Sequence, residues 1–290
     1  MNAIVLFRFH GYFDLCYERI KLIKHFNPTL PVYALYGGPS TDLTTATRRL
    51  APLVEGISSI GRADARWKWL HQDIAVKEWY ERYGRKITFD QVYDYEYDLI
   101  VAMPLSSVRS GVGRRWVAFS GLKLLSEVKK RWYWTAVEPY ASGFARYARF
   151  MNDRYGLERQ TYVSQGPFPV LSRQFLEALC LQEYPDDVFD WINCETSYPG
   201  MAEALGFEIV DTGLHPGWTP AIPSIPASPL FHCERIPLVS ACDMLRELSQ
   251  PRGLRAFHPV KEIIEARTIT RVMGRERPYH RNEGRLDAAE

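Results

Sequence analysis

The segment Phe89–Leu105, FDQVYDYEYDLIVAMPL, sets Glu96 and Asp98 two residues apart at the end of an apolar stretch. The period-two alternation of an extended backbone puts both carboxylates on one side, so two oxygen ligands can converge. Mg2+ and Mn2+ take such ligands and are commonly held by one or two carboxylates together with substrate phosphates. The end of a strand is also where an open α/β sheet receives its ligands. The same spacing fits a solvated edge that merely alternates acids with tyrosines. A second unusual placement is Arg8, inside the apolar run Ile4–Phe9. An arginine in mid-strand calls for a buried ion pair or for contact with the base or diphosphate end of a nucleotide ligand.

Several elements must position these residues. The run Ile4–Phe9 reads as a strand buried on both faces, broken by Gly11. Asp14 reads as the N-cap of a helix with Cys16, Ile20 and Ile23 at helical spacing, stopped by Asn27-Pro28, and Pro31–Tyr36 reads as a second strand. This β-α-β unit predicts parallel pairing and an α/β fold. Ala65–Tyr83 reads as one largely buried helix with Trp67, Leu70, Ile74, Trp69, Val76 and Trp79 on its stripes. Its polar members Arg66, Lys68, His71 and Asp73 need partners, which a ribose, a phosphate or plain solvent could supply. Residues 106–115 read as a basic loop, followed by a helical pattern through Leu122, Leu125 and Val128. Trp132–Val137 reads as a strand whose end directs Glu138 outward. Ser172 caps a helix, and Pro199 suits the first turn of another, with Glu195 just before it as a cap or as a general base. Six prolines between Pro216 and Pro237 predict a long loop, and the arginine-rich residues 271–290 a charged tail.

Composition narrows the function. The 290 residues are 46% hydrophobic and 13% aromatic, enough for a packed core, with a net charge of +2 that calls for no nucleic-acid partner. No window provides the run of about 20 apolar residues that a membrane span needs, so the chain reads as soluble and cytoplasmic, with at most peripheral membrane association through its basic run Arg109–Arg131. The five cysteines include no CxxC pair, which argues against a zinc knuckle or a disulfide framework. Signatures of the Walker-type phosphate loop, dinucleotide fingerprint, nucleophile elbow and zinc-protease helix are missing.

Phe89–Leu105 resembles the metal-binding strand of GT-A glycosyltransferases, in which a hydrophobic strand ends in Asp-x-Asp; here Glu96-Tyr97-Asp98 stands at that motif, with Glu in the first place. The start Ile4–Tyr36 is similar to that family's nucleotide-binding half. Gly166-Pro167 before LSRQFLEAL resembles its acceptor loop, and Asp190-Trp191-Ile192-Asn193-Cys194-Glu195 resembles the acidic motif beneath the acceptor. The resemblance implies a single GT-A-like, Rossmann-like α/β domain over residues 1–270, a mainly parallel twisted sheet with helices on both faces. Residues 1–105 would bind a nucleoside-diphosphate sugar and residues 106–270 a glycan or other hydroxyl acceptor.

The resemblance further implies an Mn2+ or Mg2+ ion held by Asp98, with Glu96 acting through water or on the ribose, and a C-terminal histidine. His215, His232 and His258 are the candidates, with His258 preferred for its late position and for Lys261, which could meet a phosphate. Arg8, Arg66, Lys68 and Asp73 would complete the donor side. Glu195 would be the base, with Asp190 or Asp187 in reserve, and Glu138, Gly166, Pro167, Trp191 and Trp218 would face the acceptor. A sugar nucleotidyltransferase and a non-catalytic carbohydrate-binding protein on the same fold are the alternatives; the Gly-rich basic loop expected of the former is missing after Phe9.

Overall fold

The computed structural model describes residues 2–61, 64–111, 113, 115–130, 132–164, 167–184, 192–214, 238–251 and 253–274, with Ala65, Arg66 and Trp69 described in their backbone alone. Among the described residues, eleven strands run β1 Ala3–Phe9, β2 Val32–Tyr36, β3 Gly56–Ser59, β4 Gln91–Glu96, β5 Ile100–Val101, β6 Trp116–Phe119, β7 Lys123–Leu124, β8 Tyr162–Val163, β9 Val170–Ser172, β10 Glu208–Asp211 and β11 Ala256–Phe257. Seven of them form one sheet in the order β10-β6-β9-β4-β1-β2-β3. The pairs β1–β2, β1–β4, β2–β3 and β10–β6 are parallel, and β9 alone runs antiparallel to both its neighbours.

Strand alternation explains how this sheet is buried. In β1, Ile4 and Leu6 join the core on one face, while Val5, Phe7 and Phe9 join the core on the other. Helices Gln72–Arg82, Tyr140–Tyr155, Arg173–Cys180 and Cys194–Ala204 cover the first face; helices Phe13–Phe26 and Leu43–Leu50 cover the second. Each aliphatic or aromatic side chain buried this way contributes about 1.5–3 kcal/mol. A smaller layer packs β5 and β11 with helices Ala241–Leu248 and Ala266–Met273 against Leu22. The fold is the single α/β domain expected, with helices on both faces.

Local structure departs from the sequence reading at several points. Trp132–Val137 is not a strand: Tyr133–Ala136 is a helical turn, with the Thr135 and Ala136 amides donating to Trp132 O. Alternating tryptophans over so few residues fit a single turn as well as a strand. Ala65–Tyr83 is two helices, Ala65–Leu70 and Gln72–Arg82, divided at His71, whose φ of −113° and ψ of 50° leave the helical region. Helix Phe13–Phe26 is preceded by Tyr12 in the left-handed region, and Asp14 lies in its first turn without capping it. The helical pattern through Leu122 shortens to Leu125–Val128, because Lys123 and Leu124 pair with β8.

Pro199 lies inside helix Cys194–Ala204, past its first turn. Proline has no N–H to offer the carbonyl four residues back. That carbonyl is Glu195 O, which accepts the Ser164 amide at 2.9 Å instead. Ser172 caps its helix as expected, accepting from Phe175 N. The segment 216–237 and residues 275–290 lie outside the described residues, while Arg271 belongs to helix Ala266–Met273.

Candidate metal centre and nucleotide site

Sheet register gathers the acids. Leu6 pairs with Asp94 and Arg8 with Glu96. Val92, Asp94 and Glu96 therefore share the face that carries Ile4, Leu6 and Arg8, and Tyr93 and Tyr95 pack into the opposite core. The mid-strand arginine finds its ion pair here. Arg8 Nε donates to Asp94 Oδ1, and Arg8 Nη1 lies 3.3 Å from Glu96 Oε1. Burial alone disfavours the guanidinium, but the flanking Asp94 and Glu96 carboxylates more than offset it, so Arg8 stays charged. Asp94 is pushed up to about 6 by burial, with Arg8 opposing.

The chain then turns at Tyr97 and re-enters β5, which pairs antiparallel with β11, Phe257 opposite Ile100. His258 follows β11 directly and so arrives beside Asp98, which precedes β5. Its Nε2 lies 3.1 Å from Glu96 Oε2 and 3.3 Å from Asp98 Oδ1. One ligand atom from each of Glu96, Asp98 and His258 can lie within 4.8 Å of the other two. Burial opposes charge on both Glu96 and His258. Their mutual hydrogen bond, Arg8 beside Glu96 and Asp98 beside His258 overcome it, holding Glu96 well below the usual carboxylate range and His258 well above the usual imidazole range. Gln72 Nε2, at the head of its helix, also donates to Glu96 Oε1. Two carboxylates and one imidazole make an oxygen-rich donor set with no thiolate, a set that fits a divalent cation.

The rim lies at the carboxyl ends of β1, β2 and β4. His10 packs edge-on against Tyr97 at 4.8 Å, and Tyr12 stacks on Tyr97 at 5.8 Å with the rings nearly parallel. Tyr12 is 62% exposed and holds a φ of 54°, a strained value for a residue with a side chain. Gly37 donates to Phe9 O at 2.7 Å, and a Cβ there would meet the Lys68 stem at 3.4 Å. The next residue, Gly38, lies so close to Tyr36 and His10 O that any Cβ would clash at 2.4 Å or less. Burial lowers His10, Asp98 and Glu96 oppose that, and Lys261 and Lys68 add to it, so both lysines bear electrostatically on this corner.

The same sheet face leads to the second acidic region. Asp73 is buried, and Ser197 Oγ donates to its Oδ2, while Oδ1 has no hydrogen-bond partner among the described residues. Burial pushes Asp73 up to about 6. Glu195, two residues before Ser197, accepts from Trp134 Nε1 at 2.7 Å and is 8% exposed. Cys194, between Asn193 and Glu195, is raised by burial first and then by Asp73 and Glu195, with Arg8 opposing and Glu96 adding, which ties the start of this helix electrostatically to the acids of β4.

Of the expected residues, the structure brings together Glu96, Asp98, His258 and Arg8, with Lys68 and Lys261 bearing on His10 at the rim and Asp73 and Glu195 deeper on the same face. Pro167 is buried. Glu138 accepts from Ser142 Oγ at 2.9 Å at the start of helix Tyr140–Tyr155. Asp187, Asp190, Trp191, Gly166, Trp218, His215, His232 and the Arg66 side chain lie outside the described residues. Asp94, Gln72, Tyr12 and Trp134 join the site without belonging to any motif of the sequence. Asp94 was within reach: it has the same strand parity as Glu96, and a buried arginine on the neighbouring strand needs an acid.

Comparison with solved structures finds similarity to several transferases. The chain is similar to the galactosyltransferase LgtC, whose structure was determined with donor and acceptor sugar analogues, at a TM-score of 0.46 and 12% identity over 93% of this chain and 95% of that one. It is similar to the bifunctional glycosyltransferase WbbM (TM-score 0.44, 11% identity, 96% of this chain and 50% of that one) and to the inositol-1-phosphate CTP transferase of T. maritima (0.39, 10%, 73% and 86%). No family model matches the chain, and no curated protein matches it. With TM-scores below 0.5 and identities this low, the function is read from the site's own residues. Among the described residues no helix is long and apolar enough to cross a membrane.

Proposed function

We propose that this chain is a glycosyltransferase that moves a sugar from a nucleoside-diphosphate donor to an acceptor hydroxyl, with Mn2+ or Mg2+ held by Glu96, Asp98 and His258. The observation that carries this reading is the convergence of those three ligand groups at the carboxyl ends of β1 and β4, beside an exposed aromatic ring and two lysines. Held by Glu96, Asp98 and His258, a divalent ion would supply the positive charge that offsets the charge of a departing nucleoside diphosphate. Tyr12 offers its exposed face to the base, and Lys68 and Lys261 meet the phosphates as point charges. Arg8, fixed by Asp94, keeps Glu96 ionised and turned toward the ligand position.

The acceptor side is built around Glu195. Its carboxylate is oriented by Trp134 and shielded from bulk water, the setting in which a carboxylate can take the proton of an attacking hydroxyl. Asp73 supplies a second buried oxygen on the same face, suited to a sugar hydroxyl. Asp190, Gly166, Pro167, Trp191, Trp218 and Glu138 complete the acceptor side in this reading, and Arg66 the donor side.

The test is a panel of nucleoside-diphosphate sugars incubated with the full chain, with and without Mn2+, scored for release of the nucleoside diphosphate. Metal-dependent release with one donor class supports the transferase. Release of pyrophosphate from a nucleoside triphosphate and a sugar phosphate would replace it with a nucleotidyltransferase, and glycan binding without turnover or metal would replace it with a carbohydrate-binding protein.

A further inference from the structure

Arg19 lies midway along helix Phe13–Phe26, on the apolar stripe of Cys16, Ile20 and Ile23, and is fully buried. A guanidinium in such a place is costly unless its charge and donors are met, and a hydrophobic residue would pack there without that cost. Burial lowers its pKa. No hydrogen bond of Arg19 to a carboxylate occurs among the described residues, and its partners are two backbone carbonyls: Nε donates to Tyr97 O at 3.2 Å and Nη2 to Val260 O at 3.0 Å. Tyr97 stands between Glu96 and Asp98, and Val260 is two residues past His258. The Val260 amide in turn donates to Asp98 O at 2.7 Å.

These three bonds tie together the two segments that carry the ligand groups. The β5–β11 ladder that joins the same segments is only two residue pairs long, a short pairing that adds little by itself. We propose that Arg19 is a positioning residue of the metal centre: its guanidinium fork pins the Tyr97–Asp98 turn to the Val260 segment and so holds Asp98 and His258 at ligating distance before an ion arrives. This rests on the metal site proposed above. Lysine keeps the charge but is a single point donor that cannot reproduce a planar fork reaching two carbonyls.

The test uses the full chain as Arg19→Lys and Arg19→Gln, with Mn2+ alone as the probe. Binding is read from loss of the free-ion electron paramagnetic resonance signal, with thermal melting alongside and Val260 amide exchange measured on the metal-free parent. The expected result is Mn2+ binding about 10- to 100-fold weaker in folded Arg19→Lys, a smaller loss when the same change is made in a His258→Ala background, and a slowly exchanging Val260 amide in the parent. A purely structural arginine would lower the melting temperature and leave the Mn2+ affinity of the folded variant at the parent value, which overturns the proposal. A Val260 amide that exchanges freely in the metal-free parent overturns it even where neither variant folds. A parent that binds no Mn2+ overturns the metal site itself, and the clamp falls with it.

Discussion

His258 Nε2 lies 3.3 Å from Asp98 Oδ1, although the two residues are far apart in sequence, because β11 pairs with β5 and delivers the imidazole to the turn that follows β4. The same nitrogen lies 3.1 Å from Glu96 Oε2. Without a metal, the imidazole is the counter-ion of both carboxylates; with one, it must give up its proton to serve as a ligand.

That exchange has a pH signature. His258 titrates well above the usual histidine range, so it is still protonated at neutral pH and the ion must displace a proton. Mn2+ affinity should therefore rise with pH through neutrality, by at most about tenfold per pH unit, with close to one proton released per ion bound. Calorimetry in buffers of different ionisation enthalpy measures the proton count. A pH-independent affinity between about pH 6 and 8 would contradict this ligand role, since that interval spans the ordinary histidine range. For the metal-free fold the signs are opposite for the two partners. The raised His258 pKa contributes stability that is full below its ordinary value and lost as pH rises through the folded one. The depressed Glu96 pKa contributes stability present above the ordinary carboxylate range and lost as pH falls.

Tyr12 separates ligand binding from fold strain. Tyr12→Ala should weaken nucleoside-diphosphate binding by about 1–3 kcal/mol, the range for losing one base-stacking ring, and leave Mn2+ binding in the absence of nucleotide unchanged. Tyr12→Gly should weaken nucleotide binding equally yet raise the melting temperature relative to Tyr12→Ala, because a φ of 54° costs glycine nothing. Nucleotide affinity equal to the parent in both variants would place the base elsewhere.

Asp73 should be a net cost to the fold at neutral pH. Its folded pKa of about 6 lies above the ordinary 3.8, so this group favours the native state as pH falls from about 6 toward 4 and opposes it above. Asp73→Asn keeps an oxygen for Ser197 and should stabilise the protein at pH 8 by up to about 3 kcal/mol, the ceiling set by that pKa difference. Melting curves at pH 5 and pH 8 check it: a variant less stable than the parent at pH 8 would show that Asp73 has a cationic or ligand partner in solution.

Glu195→Gln should lower the turnover number by about 10²–10⁴-fold, the span general-base groups supply, and leave nucleoside-diphosphate affinity within about twofold of the parent. Trp134→Phe, which removes the hydrogen bond that orients the carboxylate, should give a smaller loss in turnover with the same unchanged binding. A Glu195→Gln protein with parent-like turnover would make this residue a helix-start partner and nothing more.

Much of this was legible in the sequence because strand parity is a local rule. The run Ile4–Phe9, the helix after it and the second strand follow from spacing. Glu96 and Asp98 do converge, but not by strand parity: β4 ends at Glu96, and the Tyr97–Asp98 turn, closed by Leu99 N donating to Glu96 O, carries Asp98 back toward it. Preference for His258 over the other histidines came from its late position beside Lys261, and only the β5–β11 pairing, a contact between distant segments, makes it geometric. Arg19 was missed, although a charged residue on an otherwise apolar helical stripe was visible as an anomaly. Its partners are backbone carbonyls, which no side-chain pattern announces. The reading failed at Trp132–Val137 and at His71, where a short or aromatic-rich segment satisfies both a strand and a helix pattern and tertiary packing decides. Spacing alone suits Pro199 to a first turn. Its interior position is tolerated because Ser164 takes up the carbonyl that proline leaves free.

The most direct test of the account is calorimetric titration of UDP, GDP and CDP into the parent and into Asp98→Ala, each with and without Mn2+. The account predicts that one diphosphate binds the parent only when Mn2+ is present and that this binding is lost in a folded Asp98→Ala protein. Diphosphate binding that is indifferent to Mn2+ and unchanged by Asp98→Ala would contradict a metal-bridged donor site at Glu96, Asp98 and His258.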